Sequence, residues 1–110
     1  MSERAIGALE LATLLAVARL REDAYGLAIR RDLIERLDRD YTPGAIYTTL
    51  QRLEDKGLLK SQAGAPLPVR GGRSRRCYTL TGSGSRALRN AERLAGSMWS
   101  GVGAVSPRRA

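Results

Sequence analysis

The stretch that decides the fold is residues 41–59, YTPGAIYTTLQRLEDKGLL. Thr42 can cap a helix through its side-chain oxygen, and Pro43 suits the first helical position, where a missing N–H costs nothing. Gly57 tolerates the left-handed conformation in which many helices end. Together these residues predict a helix of about fourteen residues, an ordinary length for globular proteins.

The predicted helix has two contrasting sides. Ile46, Leu50 and Leu53 fall on one apolar stripe by helical spacing. The opposite side carries small, polar and charged residues, namely Gly44, Thr48, Gln51, Arg52 and Asp55. Hydroxyl, amide and guanidinium groups can bond base edges or phosphates in a DNA major groove. Taken alone, the helix fits DNA recognition and a solvated face with nothing bound equally well.

The composition is that of one small domain that lacks the residues of common catalytic and metal sites. The chain has 110 residues, of which 43% are hydrophobic. It contains no histidine, which excludes histidine-based triads and removes the usual nitrogen ligand of zinc. Its one cysteine, Cys77, cannot form an internal disulfide, and nothing marks a catalytic carboxylate pair. We therefore expect a protein that is not an enzyme and that uses no metal or cofactor.

The sequence shows no feature that would direct the chain into or across a membrane. No apolar run approaches the roughly eighteen residues that a membrane span needs. The N-terminus lacks the basic region and apolar segment of a secretory signal. We therefore expect a cytoplasmic protein with no membrane partner.

Charge is distributed very unevenly along the chain. Residues 1–55 hold eight Arg and ten acidic residues, a net charge of −2. Residues 56–110 hold eleven basic residues and a single acid, Glu92, a net charge of +10. Clustered Lys and Arg displace the counterions of a polyanion, and this displacement supplies most non-specific DNA affinity. The asymmetry therefore favours a DNA-binding half over a generally solubilising charge.

Residues 5–20, AIGALELATLLAVARL, predict a first helix with two apolar stripes. One stripe consists of Ile6, Leu9, Ala16, Val17 and Leu20, and the other of Leu11, Leu14, Leu15 and Ala18. A helix that is apolar on two sides must be covered on two sides. We expect one side to pack in its own domain and the other, with Leu11 and Leu15, to meet a partner chain.

A second helix is predicted from Asp23, as its cap, to about Asp38. Its apolar residues recur every four positions, at Tyr25, Ile29, Leu33 and Leu37. A short connection leads from there to Thr42. Two helices joined by a tight turn, the second with a polar side, make a helix-turn-helix.

A β-hairpin is predicted after Gly57, with strands at residues 58–64 and 75–80. Two prolines and a Gly-Gly pair exclude regular structure from the loop at 65–74. Four cations crowd the tip with no acid nearby: Arg70, Arg73, Arg75 and Arg76. Their mutual repulsion favours a phosphate-bearing partner over a merely solvated loop. The predicted fold is therefore mostly α with a small β-hairpin, a winged helix-turn-helix with additional N- and C-terminal helices.

Thr81 is predicted to cap a last helix that runs from Gly82 to about Trp99. Its apolar residues follow the spacing of a helix that packs against another helix. We expect a dimer interface built from Leu11 and Leu15 of the first helix and from Leu88, Ala91, Leu94, Met98 and Trp99 of the last. The corresponding domain boundaries are 1–80 for the DNA-binding domain, 81–103 for the dimerisation helix and 104–110 for a disordered tail.

Three motifs, in this order, resemble the PadR family of bacterial transcriptional regulators. They are AYGLAIRRDL at 24–33, TPGAIYTTLQRLEDKGLL at 42–59 and GGRSRRCYTLTGSG at 71–84. The resemblance covers about residues 5–99, and the short C-terminal part is similar to the small subfamily with one terminal helix. It implies a homodimeric winged-helix repressor on a near-palindromic operator, joined through the first and last helices. It also implies that Trp99 can stack on a flat aromatic effector at the dimer interface.

The DNA-binding residues are expected on the second helix of the motif and on the hairpin: Thr42, Gly44, Tyr47, Thr48, Gln51, Arg52, Lys60, Arg73, Arg75 and Arg76. For Tyr47, core packing and DNA contact are equally open. Asp55 is expected to point away from DNA because its charge would repel phosphates. Cys77 fits a redox switch, since nearby positive charge lowers a thiol's pKa. A small half-buried strand residue is the favoured interpretation of Cys77.

Three functions follow from these predictions. The first is a sequence-specific DNA-binding regulator that acts as a homodimer, in the simplest case as a repressor. The second is a ligand-responsive regulator that a flat aromatic effector releases from DNA by binding at the dimer interface. The third is a protein-interaction module that uses the winged helix only as a scaffold. The basic hairpin argues against the third.

Overall fold

The predicted fold class is confirmed by a computed structural model that describes residues 6–66 and 74–105. Within these residues the elements are α1 Ala8–Leu20, α2 Gly26–Leu37, α3 Pro43–Asp55, β1 Leu59–Pro66, β2 Ser74–Leu80 and α4 Gly82–Trp99. The two strands form one antiparallel hairpin. This order of elements is that of a winged helix-turn-helix with a further helix at its C-terminal end.

Both ends of α3 are the ones that its sequence predicts. The Thr42 side-chain oxygen accepts a hydrogen bond from the Ala45 N–H at 3.1 Å, and Pro43 is the first helical residue. The helix ends at Asp55, and Gly57 follows with a φ of +75°, a conformation that a Cβ would disfavour. Local chemistry therefore fixes where α3 begins and ends.

The apolar side of α3 forms the centre of the core. Ile46, Leu50 and Leu53 are all 0% exposed, as the stripe predicts. They pack in one cluster with buried residues of every neighbouring element: Leu14, Val17, Ile29, Leu33, Leu59 and Tyr78. Burying a side chain of this size stabilises a fold by about 1.5–3 kcal/mol relative to leaving it exposed. The core therefore holds α3 rigidly and leaves its polar side outward.

The two stripes of α1 do not divide as predicted. Leu14, assigned to the partner-facing stripe, is 0% exposed and belongs to the domain core. It lies three residues before Val17 and therefore shares that residue's side of the helix. Leu15 is 41% exposed and Leu11 is half-buried, so these two remain available to a partner. The helix also begins at Ala8, later than the predicted start.

The predicted cap of α2 is wrong. Residues 21–23 form a 3₁₀ turn, and α2 begins only at Gly26. The reason is pairing with β2, since the Tyr78 N–H donates to the Ala24 carbonyl at 2.9 Å and Tyr25 forms a bridge with Cys77. A segment that pairs with a strand is extended and cannot be helical. Nothing in the local sequence of Ala24 and Tyr25 predicts this short pairing with β2.

The hairpin extends further towards its loop than predicted, to Pro66 in β1 and from Ser74 in β2. Ser61 lies opposite Tyr78, and the register shifts beyond Ala63. Proline has no N–H to donate to a ladder, which is consistent with an irregularity near the end of β1. The cationic loop residues Arg70 and Arg73 lie outside the described residues.

The start of α4 is fixed against the chain that follows α3. The Thr81 side-chain oxygen accepts from the Gly84 N–H at 3.0 Å, which confirms the predicted cap. The same hydroxyl donates to the Gly57 carbonyl at 2.7 Å. A Cβ on Gly84 would lie 2.1 Å from the Leu58 carbonyl oxygen, so this close approach requires glycine. The base of α4 is therefore held directly behind the end of α3.

The remainder of the chain adds little to this framework. Residues 100–105 follow α4 and are exposed, and most of the predicted disordered tail at 104–110 lies outside the described residues. Among the helices that the structure describes, none is both long and apolar enough to span a membrane.

Candidate nucleic-acid interface

The structure brings six of the predicted DNA-binding residues together on the outer side of α3. All six are exposed, and we call them the reading face: Thr42, Gly44, Tyr47, Thr48, Gln51 and Arg52. The face begins at the N-terminal end of the helix, which is the end that enters a major groove in helix-turn-helix proteins. Because the opposite side of α3 is fully buried, the reading face presents itself to a partner as one rigid surface.

The Tyr47 side chain is packed on one edge and exposed on the other, so the DNA contact that its sequence leaves open stays a prediction. Its side chain is 45% exposed. Its ring nevertheless lies against Gly26 at the start of α2, where an added Cβ would be 2.6 Å from both the ring and the hydroxyl oxygen. Glycine at this position therefore allows the two helices of the motif to approach each other through the edge of the Tyr47 ring.

Gln51 and Asp55 are linked to each other on the surface of α3. The Gln51 amide nitrogen donates to the Asp55 carboxylate at 3.0 Å. Asp55 was expected to point away from DNA, but it lies beside a residue of the reading face. A Gln and an Asp at i and i+4 are a known stabilising helix pair, so the sequence carried a signal for this contact.

Arg52 and Lys56, on successive turns of the chain, have different environments. Arg52 is exposed and makes no ion pair among residues 6–66 and 74–105. The Lys56 ammonium lies 2.8 Å from both carboxylate oxygens of Glu10 on α1. Hydrogen bonds from Lys56 lower the pKa of Glu10 below its ordinary value of 4.5, against the opposite effect of burial. Arg52 is thus available to an external anion, whereas Lys56 joins α3 to α1.

Arg75 and Arg76 leave the hairpin on opposite faces, because neighbouring strand residues alternate. The Arg75 guanidinium lies over the Tyr25 ring, 4.2 Å from its centroid. Arg76 donates to the Ser61 hydroxyl at 3.0 Å. Lys60 is exposed near the base of the hairpin, and the predicted contact Arg73 lies outside the described residues. Among the described residues of the hairpin, Arg75 and Arg76 therefore lie on opposite faces and not in one cluster.

A chain of hydrogen bonds connects the hairpin to α3. The Ser61 hydroxyl accepts from Arg76 and donates to the Glu54 carboxylate at 2.7 Å. Tyr78 lies opposite Ser61, and burial together with the Glu54 charge raises the pKa of its hydroxyl above 10.0. The sequence did not predict these hydrogen bonds, because the residues that form them are far apart along the sequence. Their effect is to fix the base of the hairpin relative to α3.

The residues predicted for a dimer interface divide into two groups. Leu94, Met98 and Trp99 are 51%, 73% and 64% exposed on the distal half of α4. Leu88 instead packs against the chain's own core, and Ala91 is half-buried. Leu88 therefore packs within its own chain, in addition to its predicted place at the dimer interface.

Cys77 is half-buried on β2, and its sulfur lies 3.4 Å from the Glu22 carbonyl oxygen. This environment matches the interpretation of Cys77 as a small strand residue. The contact arises because the strand bridges to the segment before α2.

A comparison with protein families agrees with the winged-helix fold. A model of the transcriptional regulator PadR-like family matches residues 14–90, which include the helix-turn-helix, the hairpin and the first half of α4. The chain belongs to this family. Its members regulate transcription and are not enzymes, so the predicted family and the predicted lack of enzymatic activity are both confirmed.

Several solved structures share the fold over most of the chain. A PadR family transcriptional regulator from Eggerthella lenta is 31% identical, with a TM-score of 0.64 over 86% of this chain and 84% of its own. RosR from H. salinarum is 25% identical, with a TM-score of 0.70 over 91% and 83%. A PadR-like regulator from Bacillus cereus, at 24% identity, shares the fold with a TM-score of 0.70 over 87% and 88%.

RosR is archaeal, so the comparisons do not confirm the expected bacterial source. No curated protein sequence matches the chain significantly.

Proposed function

We propose that this PadR-like protein is a sequence-specific DNA-binding regulator that acts as a homodimer on a near-palindromic operator, and that it represses transcription. The observation that carries the proposal is the reading face, a set of exposed polar residues on a helix whose other side is fully buried. PadR-like regulators bind DNA, which supports the same partner for this chain. We also propose a cytoplasmic location, because the protein would meet DNA there.

The side chains of the reading face suit two kinds of DNA contact. Gln51 and Thr48 offer groups that can bond base edges. Thr42 and Gly44, at the positive end of the helix dipole, suit a phosphate. Arg52, Lys60 and the hairpin arginines supply the positive charge that attracts the DNA backbone. Base contacts on α3 and phosphate contacts around it are the division of labour that specific recognition requires.

A homodimer is supported by the exposed apolar residues at the distal end of α4. Leu94, Met98 and Trp99 are each more than half exposed, and helical spacing places Leu94 and Met98 along one seam with Trp99 beside it. We propose residues 1–80 as the DNA-binding domain and 81–103 as the dimerisation helix, with Leu11 and Leu15 adding to the interface. Two recognition helices about 34 Å apart would then enter successive major grooves on one face of the duplex.

A ligand-responsive version is the second candidate, and the exposed indole of Trp99 favours it. A flat aromatic effector stacked at the dimer seam would change regulation only if it bound two spacings of the recognition helices with different affinity. A thermal-shift screen of flat aromatic compounds tests this candidate. A Trp99→Ala variant that keeps every shift seen with the native protein would contradict it.

The experiment that tests the proposed function is selection from a random pool of duplex DNA at physiological salt. An enriched inverted repeat with half-sites about one helical turn apart is the expected result. Retention of DNA with no enriched sequence would contradict specific recognition and leave only an electrostatic surface. No retention at all would favour the protein-interaction module.

The contribution of the hairpin is tested by replacing Arg73, Arg75 and Arg76 with Ala. If all three contact phosphates, the slope of log K against log salt falls by up to about 2.7, and binding weakens for every sequence. The matched control removes the same charge from α4 by changing Arg86, Arg89 and Arg93 to Ala. An equal loss of slope in both variants would assign the effect to net charge instead of to hairpin contacts.

A further inference from the structure

The pair formed by Gln51 and Asp55 constrains the one amide on the reading face. The Gln51 amide nitrogen donates to the Asp55 carboxylate at 3.0 Å, and both side chains are exposed on α3, one turn apart. Arg52, three residues before Asp55, would be the stronger partner by charge, yet it makes no ion pair within the described residues. Asp55 is thus engaged with the amide and not with the neighbouring cation.

This contact decides which way the amide of Gln51 faces. A carboxylate can accept hydrogen bonds but cannot donate them, so the nitrogen of Gln51, and not its oxygen, must lie towards Asp55. An unpaired glutamine amide could exchange the positions of its oxygen and nitrogen by a simple rotation. In the pair that rotation would place two acceptors against each other. The pair therefore favours the arrangement in which the Gln51 carbonyl oxygen and one N–H face outward.

We infer that Asp55 is a positioning residue that sets Gln51 to read adenine. Adenine presents a donor, N6–H, beside an acceptor, N7, in the major groove, and an amide oxygen with an adjacent N–H complements both. Guanine presents two acceptors at the same place and would oppose the fixed amide oxygen. The inference rests on the proposed function, because it concerns how the same helix reads its operator.

The charge of Asp55 makes its position on this helix informative. A carboxylate close to DNA repels phosphates and weakens binding to every sequence alike. Orientation of Gln51 gives that unfavourable charge a specific use, because it exchanges affinity for discrimination at one base pair. The two effects can be separated, since only the second depends on which base is present.

The test repeats the selection from random duplex DNA with four proteins: the native chain, Gln51→Ala, Asp55→Ala and Asp55→Glu. For the native chain, one operator position in each half-site should favour adenine by about 5- to 150-fold over the alternatives. Gln51→Ala should lose this preference, Asp55→Ala should reduce it, and both should keep the other positions of the motif. Asp55→Glu retains a group that only accepts and should retain the preference.

Affinity for duplexes without adenine at that position provides the second readout. On these duplexes Asp55→Ala should bind more tightly than Asp55→Glu, because it lacks a charge that repels phosphate. The double variant with Ala at both positions should discriminate no less than Gln51→Ala alone, since Asp55 acts through Gln51. A merely electrostatic or structural role for Asp55 would change affinity without changing the base preference.

The outcomes separate this inference from the proposed function. An unchanged adenine preference in Asp55→Ala, or a preference that Gln51→Ala leaves intact, overturns the inference while specific DNA binding stands. A native motif without adenine at any position that Gln51 controls overturns it as well. The absence of any enriched motif for the native chain overturns the proposed function, and the inference with it.

Discussion

Helices α3 and α4 have similar apolar stripes that end in opposite environments. On α3, Ile46, Leu50 and Leu53 are completely buried by the rest of the chain. On α4, Leu94 and Met98 lie four residues apart on one stripe, with Trp99 beside it, and all three are more than half exposed. The first stripe is satisfied within one chain and the second is not. Periodicity therefore identifies which residues need a cover but does not identify what supplies it.

This difference assigns different tasks to the two helices. Complete burial on one side gives α3 a fixed position from which its reading face can address DNA. An exposed stripe on the distal half of α4 suits association with a second copy, which is the dimer proposed above. Variants that treat the two stripes alike should have unlike consequences, and the predictions below depend on that contrast.

Met98→Asp should have the largest effect, and on association alone. An unpaired charge buried in an interface costs about 3–5 kcal/mol, so the dissociation constant of the dimer should rise more than about a hundredfold. Analytical ultracentrifugation over a concentration series measures this, and circular dichroism should show unchanged helix content. The control is Ser100→Asp, which adds the same charge at the residue that follows the end of α4. Equal weakening by both variants would argue against a seam through Met98.

Leu50→Ala should lower the free energy of unfolding of the monomer by about 2–5 kcal/mol, because it leaves a cavity in a closely packed core. Leu94→Ala, the same change on the exposed stripe, should lower it by less than about 0.5 kcal/mol at a concentration where the protein is monomeric. Urea denaturation of the two variants measures the difference. Similar losses would show that the α4 stripe is also covered within the chain.

Lys56→Met should destabilise the protein by about 1–2 kcal/mol near neutral pH, because it removes two charge-assisted hydrogen bonds between α1 and the end of α3. The pKa of Glu10 is lowered in the folded state, so the pair stabilises the fold above the ordinary value of 4.5. That stabilisation is lost as pH falls from 4.5 towards the lower folded pKa.

Chemical denaturation at a series of pH values therefore measures a gap between the native chain and Lys56→Met that closes in acid. The control is Glu10→Gln, which should lack the same acid-dependent change. A gap that is constant from neutral to acidic pH would mean that Lys56 stabilises the fold by packing and not through Glu10.

Ser61→Ala should have the smallest effect, a loss of about 0.5–1.5 kcal/mol, because it interrupts the hydrogen-bond chain from Glu54 to Arg76. Its further result should be greater mobility of the hairpin relative to α3, seen as faster amide exchange in β1 and β2. Ser83→Ala, on the first turn of α4, is the matched control. Unchanged exchange in Ser61→Ala would assign the hairpin's position to packing alone.

The parts of this molecule that the sequence predicts are those with local causes. Thr42, Pro43 and Gly57 bracket α3, and Thr81 begins α4, because capping depends on residues within one turn. The core stripe of α3 and the winged-helix order are predictable for the same reason. Six residues of the reading face are predictable because they share the other side of that one helix.

The parts that the sequence did not predict depend on contacts between distant segments. Asp23 resembles a helix cap, but the neighbouring Ala24 and Tyr25 pair with β2, which overrides the local preference. Leu14 sits between two apolar stripes, and only the packing of the whole domain decides which side it joins. The link from Glu54 through Ser61 to Arg76 likewise forms only after the hairpin folds onto α3.

The close approach of Gly84 to Leu58 makes α4 a lever. The helix has 18 residues and is therefore about 27 Å long, with its fulcrum directly behind the end of α3. A tilt of about 5° at the fulcrum sweeps the far end through about 2 Å, a distance comparable to the rise of a single helical residue. Conversely, a modest push near Met98 acts on the fulcrum with a long moment arm. A second copy that packs against Met98 would thus apply its torque at the contact between Gly84 and Leu58, beside α3.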